Sequence, residues 1–168
     1  MDLAAFILAD HSRAGTDAVA DCVGDDPARF GELFALVREG SPRLRQCAVW
    51  SLARCVQRQP HLIDPWLEAV VLLLGDQKAH PALRRNFFQI LQTAHLPEST
   101  HHTIFEAACR ALELPSAPAA EKAYGITILK RLTVLYPEML PTVRQLVAEA
   151  ASIGSAAVRS RARTEFKL

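Results

Sequence analysis

Glycine is scarce in this sequence, with seven residues in 168, and the seven are scattered. They supply no Gly-rich phosphate loop and no dinucleotide-binding fingerprint, and the chain holds no G-x-S-x-G nucleophile elbow. Aromatic residues make up only 7%. Ala, Leu, Arg and Val dominate instead, a balance that favours helices over sheets and predicts an all-α chain. The longest strongly apolar run, Ala69 to Leu74, is far short of the roughly 20 residues that cross a bilayer, so no membrane span is expected. The four cysteines, Cys22, Cys47, Cys55 and Cys109, form no C-x-x-C pair and are expected to be reduced core residues. Among the six histidines there is no H-E-x-x-H. The one adjacent pair, His101-His102, would point about 100° apart on a helix, which suits an exposed polar first turn better than a two-ligand site. No metal, cofactor or catalytic residue is expected. The opening MDLAAFILADHSR carries an acidic residue where a leader has basic ones; it reads as an ordinary first helix of a cytoplasmic protein.

What the sequence does contain is a repeat. PRLRQCA at Pro42 is echoed by PALRRNF at Pro81, PAAEKAY at Pro118 and AAVRSRA at Ala156, at steps of 39, 37 and 38 residues. Two columns stay apolar in that register, Leu44/Leu83/Ala120/Val158 and Leu52/Leu91/Ile128/Phe166, and positions eight apart lie on one helical face. Arg45, Arg84 and Arg159 share a third column, in which the third repeat has Glu121. They are expected to be structural, pairing with turn carboxylates and neighbouring repeats. Between these segments run other helical stretches that begin beside prolines, with Asp26 and Asp64 as expected N-caps. Gly40, Gly75 and Gly154 fall where a left-handed residue could close a last turn.

Each unit is therefore helix, turn, helix, and a pair of helices this short buries its apolar stripe only by stacking on neighbours. The expected fold is a right-handed α-solenoid of antiparallel helix pairs with a period of about 38 residues. It forms a single domain over residues 1–168, with cap helices over 1–24 and repeats at about 25–59, 60–95, 97–136 and 137–168. The x-x-L/V-R-x-x-A pattern of RLRQCA, ALRRNF and AVRSRA resembles HEAT repeats. More narrowly, ILADHSR, RFGELFALV, CAVWSLARCVQRQPHLI, RRNFFQILQ and SAAVRSRARTEF resemble a group of short bacterial HEAT-like proteins, some of which carry the name adenylosuccinate lyase. A true lyase of that superfamily is much longer and has a Ser-rich loop containing Met and Lys, to which nothing here corresponds.

Charge is distributed unevenly although the total is only +1. Counting Lys and Arg against Asp and Glu, the second helices of the repeats hold +11, the first helices −7 and the opening 24 residues −3. Second helices commonly line the concave, partner-binding surface of such arrays, so a basic concave face is expected. On it the spacing places Arg43, Trp50, Arg54 and Arg58 from the first repeat, Arg85 and Gln89 from the second, and Lys122 and Lys130 from the third. The reading that follows is a monomeric, non-catalytic scaffold that binds a protein or peptide, an acidic one by charge. Nucleic-acid binding in the same groove, as in HEAT-like DNA glycosylases, is the alternative; the small enzyme implied by the lyase name finds no supporting motif.

Overall fold

The computed structural model describes residues 2–76 and 79–168. The described residues contain ten α-helices, three 3-10 segments and no strand. They divide into two compact units, Met1–His95 and Leu96–Leu168. The first holds α1 (Leu3–Ala9), α2 (Arg13–Val23), α3 (Pro27–Glu39), α4 (Pro42–Arg58), α5 (Leu67–Gly75) and α6 (Pro81–Leu91). The second holds α7 (His101–Glu113), α8 (Ala119–Leu135), α9 (Leu140–Ile153) and α10 (Ala156–Phe166).

The expected pairs are present: α3 packs on α4, α5 on α6, α7 on α8 and α9 on α10. Second helices also stack on second helices, α4 on α6 and α8 on α10. On its other side α4 meets α2, so the opening segment extends the second-helix layer of its unit. Apolar side chains between the layers form the cores, including Phe30, Phe34, Phe87 and Phe88, all fully buried; each phenyl ring contributes about 2–3 kcal/mol on burial. Phe34 stacks on Trp66 with ring centroids 4.7 Å apart.

Helix entry differs from expectation in one place. Asp26 caps α3, accepting from the amides of Ala28 and Arg29, and Ser41 and Ser155 cap α4 and α10. Asp64 caps nothing: Pro65 lies inside a 3-10 segment, Pro60–Trp66, and α5 begins after it without a side-chain cap. Similar 3-10 turns, Glu98–Thr100 and Pro137–Met139, lead into α7 and α9. Gly40 and Gly154 are not left-handed either, with φ of −65° and −79°. Glycine suits them for space, because a Cβ would collide with the carbonyls of Leu36 and Ala150 and with the Leu44 and Val158 side chains. Gly24 ends α2 with a positive φ of 55°, and the left-handed closure falls on Lys167 at the end of α10, φ 56° and ψ 45°.

The helix starts Pro42, Pro81, Ala119 and Ala156 correct the register of the third repeat by one residue. Pro118 is extended (ψ 143°) and precedes α8, whereas Pro42 and Pro81 are the first helical residues of α4 and α6. The fourth residue of each second helix is then basic, as Arg45, Arg84, Lys122 and Arg159. All four do one job. Arg45 donates to the Val37 carbonyl at 2.9 Å, Arg84 to Leu74 at 3.2 Å, Lys122 to Leu112 at 3.5 Å and Arg159 to Gly154 at 2.6 Å. Those carbonyls end the preceding first helices, where the last turn has no intrahelical donor and the helix dipole favours a cation. Main-chain oxygens, which the sequence reading did not include, are thus partners of every residue in this column. Glu121 moves into the apolar column and is 2% exposed.

Candidate functional site

Trp50, Ala53, Arg54 and Gln57 recur at steps of three and four along α4, so they share a stripe opposite the buried Leu44, Ala48, Leu52 and Cys55. On α6 the same logic aligns Arg85 and Gln89. Packing of α4 against α6 brings the stripes together around a groove of about 210 Å³, which Arg13 and Thr16 of α2 and Asn86 of α6 complete. Trp50 keeps 39% of its surface exposed, and the Arg85 guanidinium lies over its ring, 5.5 Å from the centroid. Asn86 is anchored from below, its Nδ2 donating to the Ala82 carbonyl at 2.7 Å.

The electrostatics of this face differ from a simple basic stripe. Arg54 Nε meets Asp17 at 2.5 Å, and Arg58 meets Asp17 at 2.8 Å and Asp21 at 2.5 Å. Hydrogen bonding from Arg54, opposed by some desolvation, holds the Asp17 carboxyl below its ordinary value. The acids counted in the opening segment and the bases counted on α4 therefore largely cancel one another. Arg43 bonds to Gln46 at 3.3 Å and to His11 Nε2 at 3.2 Å; since a guanidinium only donates, that nitrogen accepts and the neutral ring carries its proton on Nδ1. Arg85 is different. Among the described residues it has no hydrogen-bond or ion-pair partner, only the indole face.

Of the eight residues expected to bind a partner, the structure brings Trp50, Arg54, Arg58, Arg85 and Gln89 onto one face, with Arg43 at the N-terminal end of α4. Lys122 and Lys130 belong to the second unit. Lys122 departs from expectation: it is only 8% exposed and is committed to the Leu112 carbonyl, because the one-residue register shift puts it in the arginine column. Lys130 is half-buried, its Nζ 5.5 Å from the Phe166 ring centroid. In the corrected register Trp50 and Gln89 correspond to Thr127 and Thr164. Thr127 donates to Glu165 at 2.9 Å and accepts from Arg161 at 2.6 Å. Arg13, Gln57 and Asn86 were not expected at the site; the i+3 and i+7 spacings from Trp50 to Ala53 and Gln57 were the signal for the second of them.

A second cavity, about 330 Å³, lies wholly in the second unit, lined by Glu98, His101, His102, Phe105, Leu132, Tyr136 and Met139. His101 is not the exposed residue expected. It is half-buried and uses both ring nitrogens, Nδ1 toward the Tyr136 hydroxyl and Nε2 toward the Leu96 carbonyl, each at 2.9 Å. His102 does lie in solvent, 3.6 Å from Glu106. No three His, Cys, Asp or Glu side chains converge as metal ligands among the described residues. Nor, among those residues, is any helix long and apolar enough to cross a membrane.

Comparison with known proteins agrees with the repeat architecture. The family model described as HEAT repeat domain matches residues 7–166, nearly the whole chain. No curated protein and no solved structure matches it.

Proposed function

This chain belongs to the HEAT repeat family, and from that premise we propose that it is a monomeric, non-catalytic scaffold that holds an acidic protein segment against the α4–α6 face. The observation that carries this reading is the Arg85–Trp50 pair: a half-exposed indole under a guanidinium with no carboxylate partner among the described residues. Trp and Arg are the side chains that most often anchor interfaces, and a cation stacked on an indole is already oriented for a planar carboxylate. Gln57 and Gln89 offer both donor and acceptor groups to a peptide main chain beside that anchor. Arg54 and Arg58, held by Asp17 and Asp21, rim the groove as oriented but partly neutralised cations. Free cysteines throughout fit a cytoplasmic home.

The test is fluorescence anisotropy with a short glutamate-rich labelled peptide, a lysine-rich counterpart and labelled single-stranded DNA, at two salt concentrations. The scaffold reading predicts binding of the acidic peptide alone, weakened about tenfold or more by Trp50→Ala or Arg85→Ala. Binding of DNA that collapses as salt rises, with the acidic peptide inert, would replace it with phosphate recognition.

A further inference from the structure

We propose that the cavity of the second unit is a binding site for a small organic ammonium ion, an amine joined to an apolar body. Independently of the α4–α6 face, the cavity's own hydrogen bonds decide which roles are left for a ligand. His101 Nε2 lies 2.9 Å from the Leu96 carbonyl. A carbonyl can only accept, so Nε2 carries the proton and, in the neutral ring, Nδ1 is the acceptor. The Tyr136 hydroxyl, 2.9 Å from Nδ1, must therefore spend its single proton on the histidine. Its oxygen is left with lone pairs and no hydrogen to give.

Two further polar side chains lie at the cavity: His102, exposed and 3.6 Å from Glu106, and Glu98. Its carboxylate is exposed and has no hydrogen-bond or ion-pair partner among the described residues. An ionised carboxylate is also acceptor-only. The Tyr136 oxygen and the Glu98 carboxylate consequently ask for a donor, and the second asks for positive charge. An ammonium meets both requirements; a carboxylate or phosphate ligand meets neither and is repelled by Glu98.

The remaining walls select the rest of the ligand. Phe105, Leu132 and Met139 are apolar, and Phe105 and Tyr136 add two aromatic rings to the lining, side chains whose faces attract a cation electrostatically. A volume of about 330 Å³ lies at the lower end of the range for small-molecule pockets, which fits a single ring or a short aliphatic chain. Tyr136 and His101 stand edge-to-face with centroids 5.7 Å apart, so the hydroxyl that meets the ligand is held in place before the ligand arrives.

Phenethylamine is the probe, with phenylacetate as its charge-reversed counterpart and n-butylamine to separate ring from chain, followed by two-dimensional NMR of the intact protein. Phenethylamine is expected to move resonances of Phe105, Tyr136 and Met139 saturably, with n-butylamine weaker and phenylacetate without effect. Glu98→Gln and Tyr136→Phe should each weaken phenethylamine about fivefold or more, the first by removing charge and the second by removing the acceptor. Glu98 is exposed, so its variant keeps the fold even if loss of the Tyr136 hydroxyl perturbs it. Equal responses to phenethylamine and phenylacetate, no saturable shift at these residues, or undiminished affinity in Glu98→Gln would each overturn the proposal.

Discussion

The polar stripes of the two units start from the same helical frame and end in opposite states. On α4 and α6 the ninth positions are Trp50 and Gln89, the indole is part-exposed, and the guanidinium above it has no carboxylate partner among the described residues. On α8 and α10 the corresponding residues are Thr127 and Thr164, and Thr127 is enclosed in a chain of bonds with Arg161 and Glu165. Repeats of one architecture can thus keep hydrogen-bonding capacity for a partner or consume it internally. The difference is local: a guanidinium whose nearest acceptor belongs to its own unit is already satisfied and must be desolvated and rearranged before it can bind anything else. Arg85 escapes that cost and Arg161 does not.

The difference between the two stripes is largest at Trp50. Replacing Trp50 together with Arg85 by alanine should abolish binding of a glutamate-rich peptide in anisotropy, a loss of about 2 kcal/mol or more. Arg161→Ala should leave that affinity within about twofold, as expected of a residue outside the contact. Equal losses at the two stripes would end the distinction between them.

The next largest effect concerns stability. Lys122 carries in the second unit the role that Arg45 and Arg84 have in the first, but it is buried. Lys122→Ala should lower unfolding free energy by about 2 kcal/mol, since a carbonyl at the end of α7 loses its charged donor. Arg159→Ala, at an exposed site, should cost no more than about 1 kcal/mol. Chemical denaturation of both variants measures the ratio, and a costlier Arg159 change would contradict the shared role.

Acid sensitivity gives a smaller signal and belongs to the first unit. The Asp17 carboxyl titrates below its ordinary value of 3.8 when folded, so it binds protons less readily in the folded than in the unfolded state. Its contribution to stability is present above 3.8 and is lost as pH falls through the lower folded value. Asp17→Asn should flatten the acid limb of the stability curve, measured by chemical denaturation at a series of pH values below about 5. Smallest is the thiol chemistry. Burial pushes Cys55 up to about 12 and Cys109 up to about 11, so both should resist alkylation at pH 8 in the folded protein and react on unfolding.

Much of the fold could be read from periodicity, because an apolar stripe that returns every 37 to 39 residues has few ways to be buried other than stacked helix pairs. The third repeat is displaced by one residue because Pro118 is not the structural equivalent of Pro42; proline is compatible both with the first helical position and with the extended residue before it, and composition does not separate the two. The site was harder to read. Asp17 and Asp21 are four apart, as are Arg54 and Arg58, a matching spacing that signals facing helices, but their contacts span about forty residues of sequence and depend on α2 packing beside α4. Nothing in the opening segment itself marks Asp17 and Asp21 as the partners of α4. His101 likewise looked like solvent-facing polarity, because nothing in HHTIFEA announces that Tyr136 and the Leu96 carbonyl will close over it.

The most direct test of the central claim is an NMR titration with an unlabelled glutamate-rich peptide, following the two indole N–H signals and the Thr127 amide. Trp66, stacked on Phe34 and not among the residues that line the α4–α6 groove, is the internal reference. The account predicts that the Trp50 indole shifts saturably while Trp66 and Thr127 stay in place. A stationary Trp50 signal with movement at Thr127 would contradict it and put the binding face on the second unit.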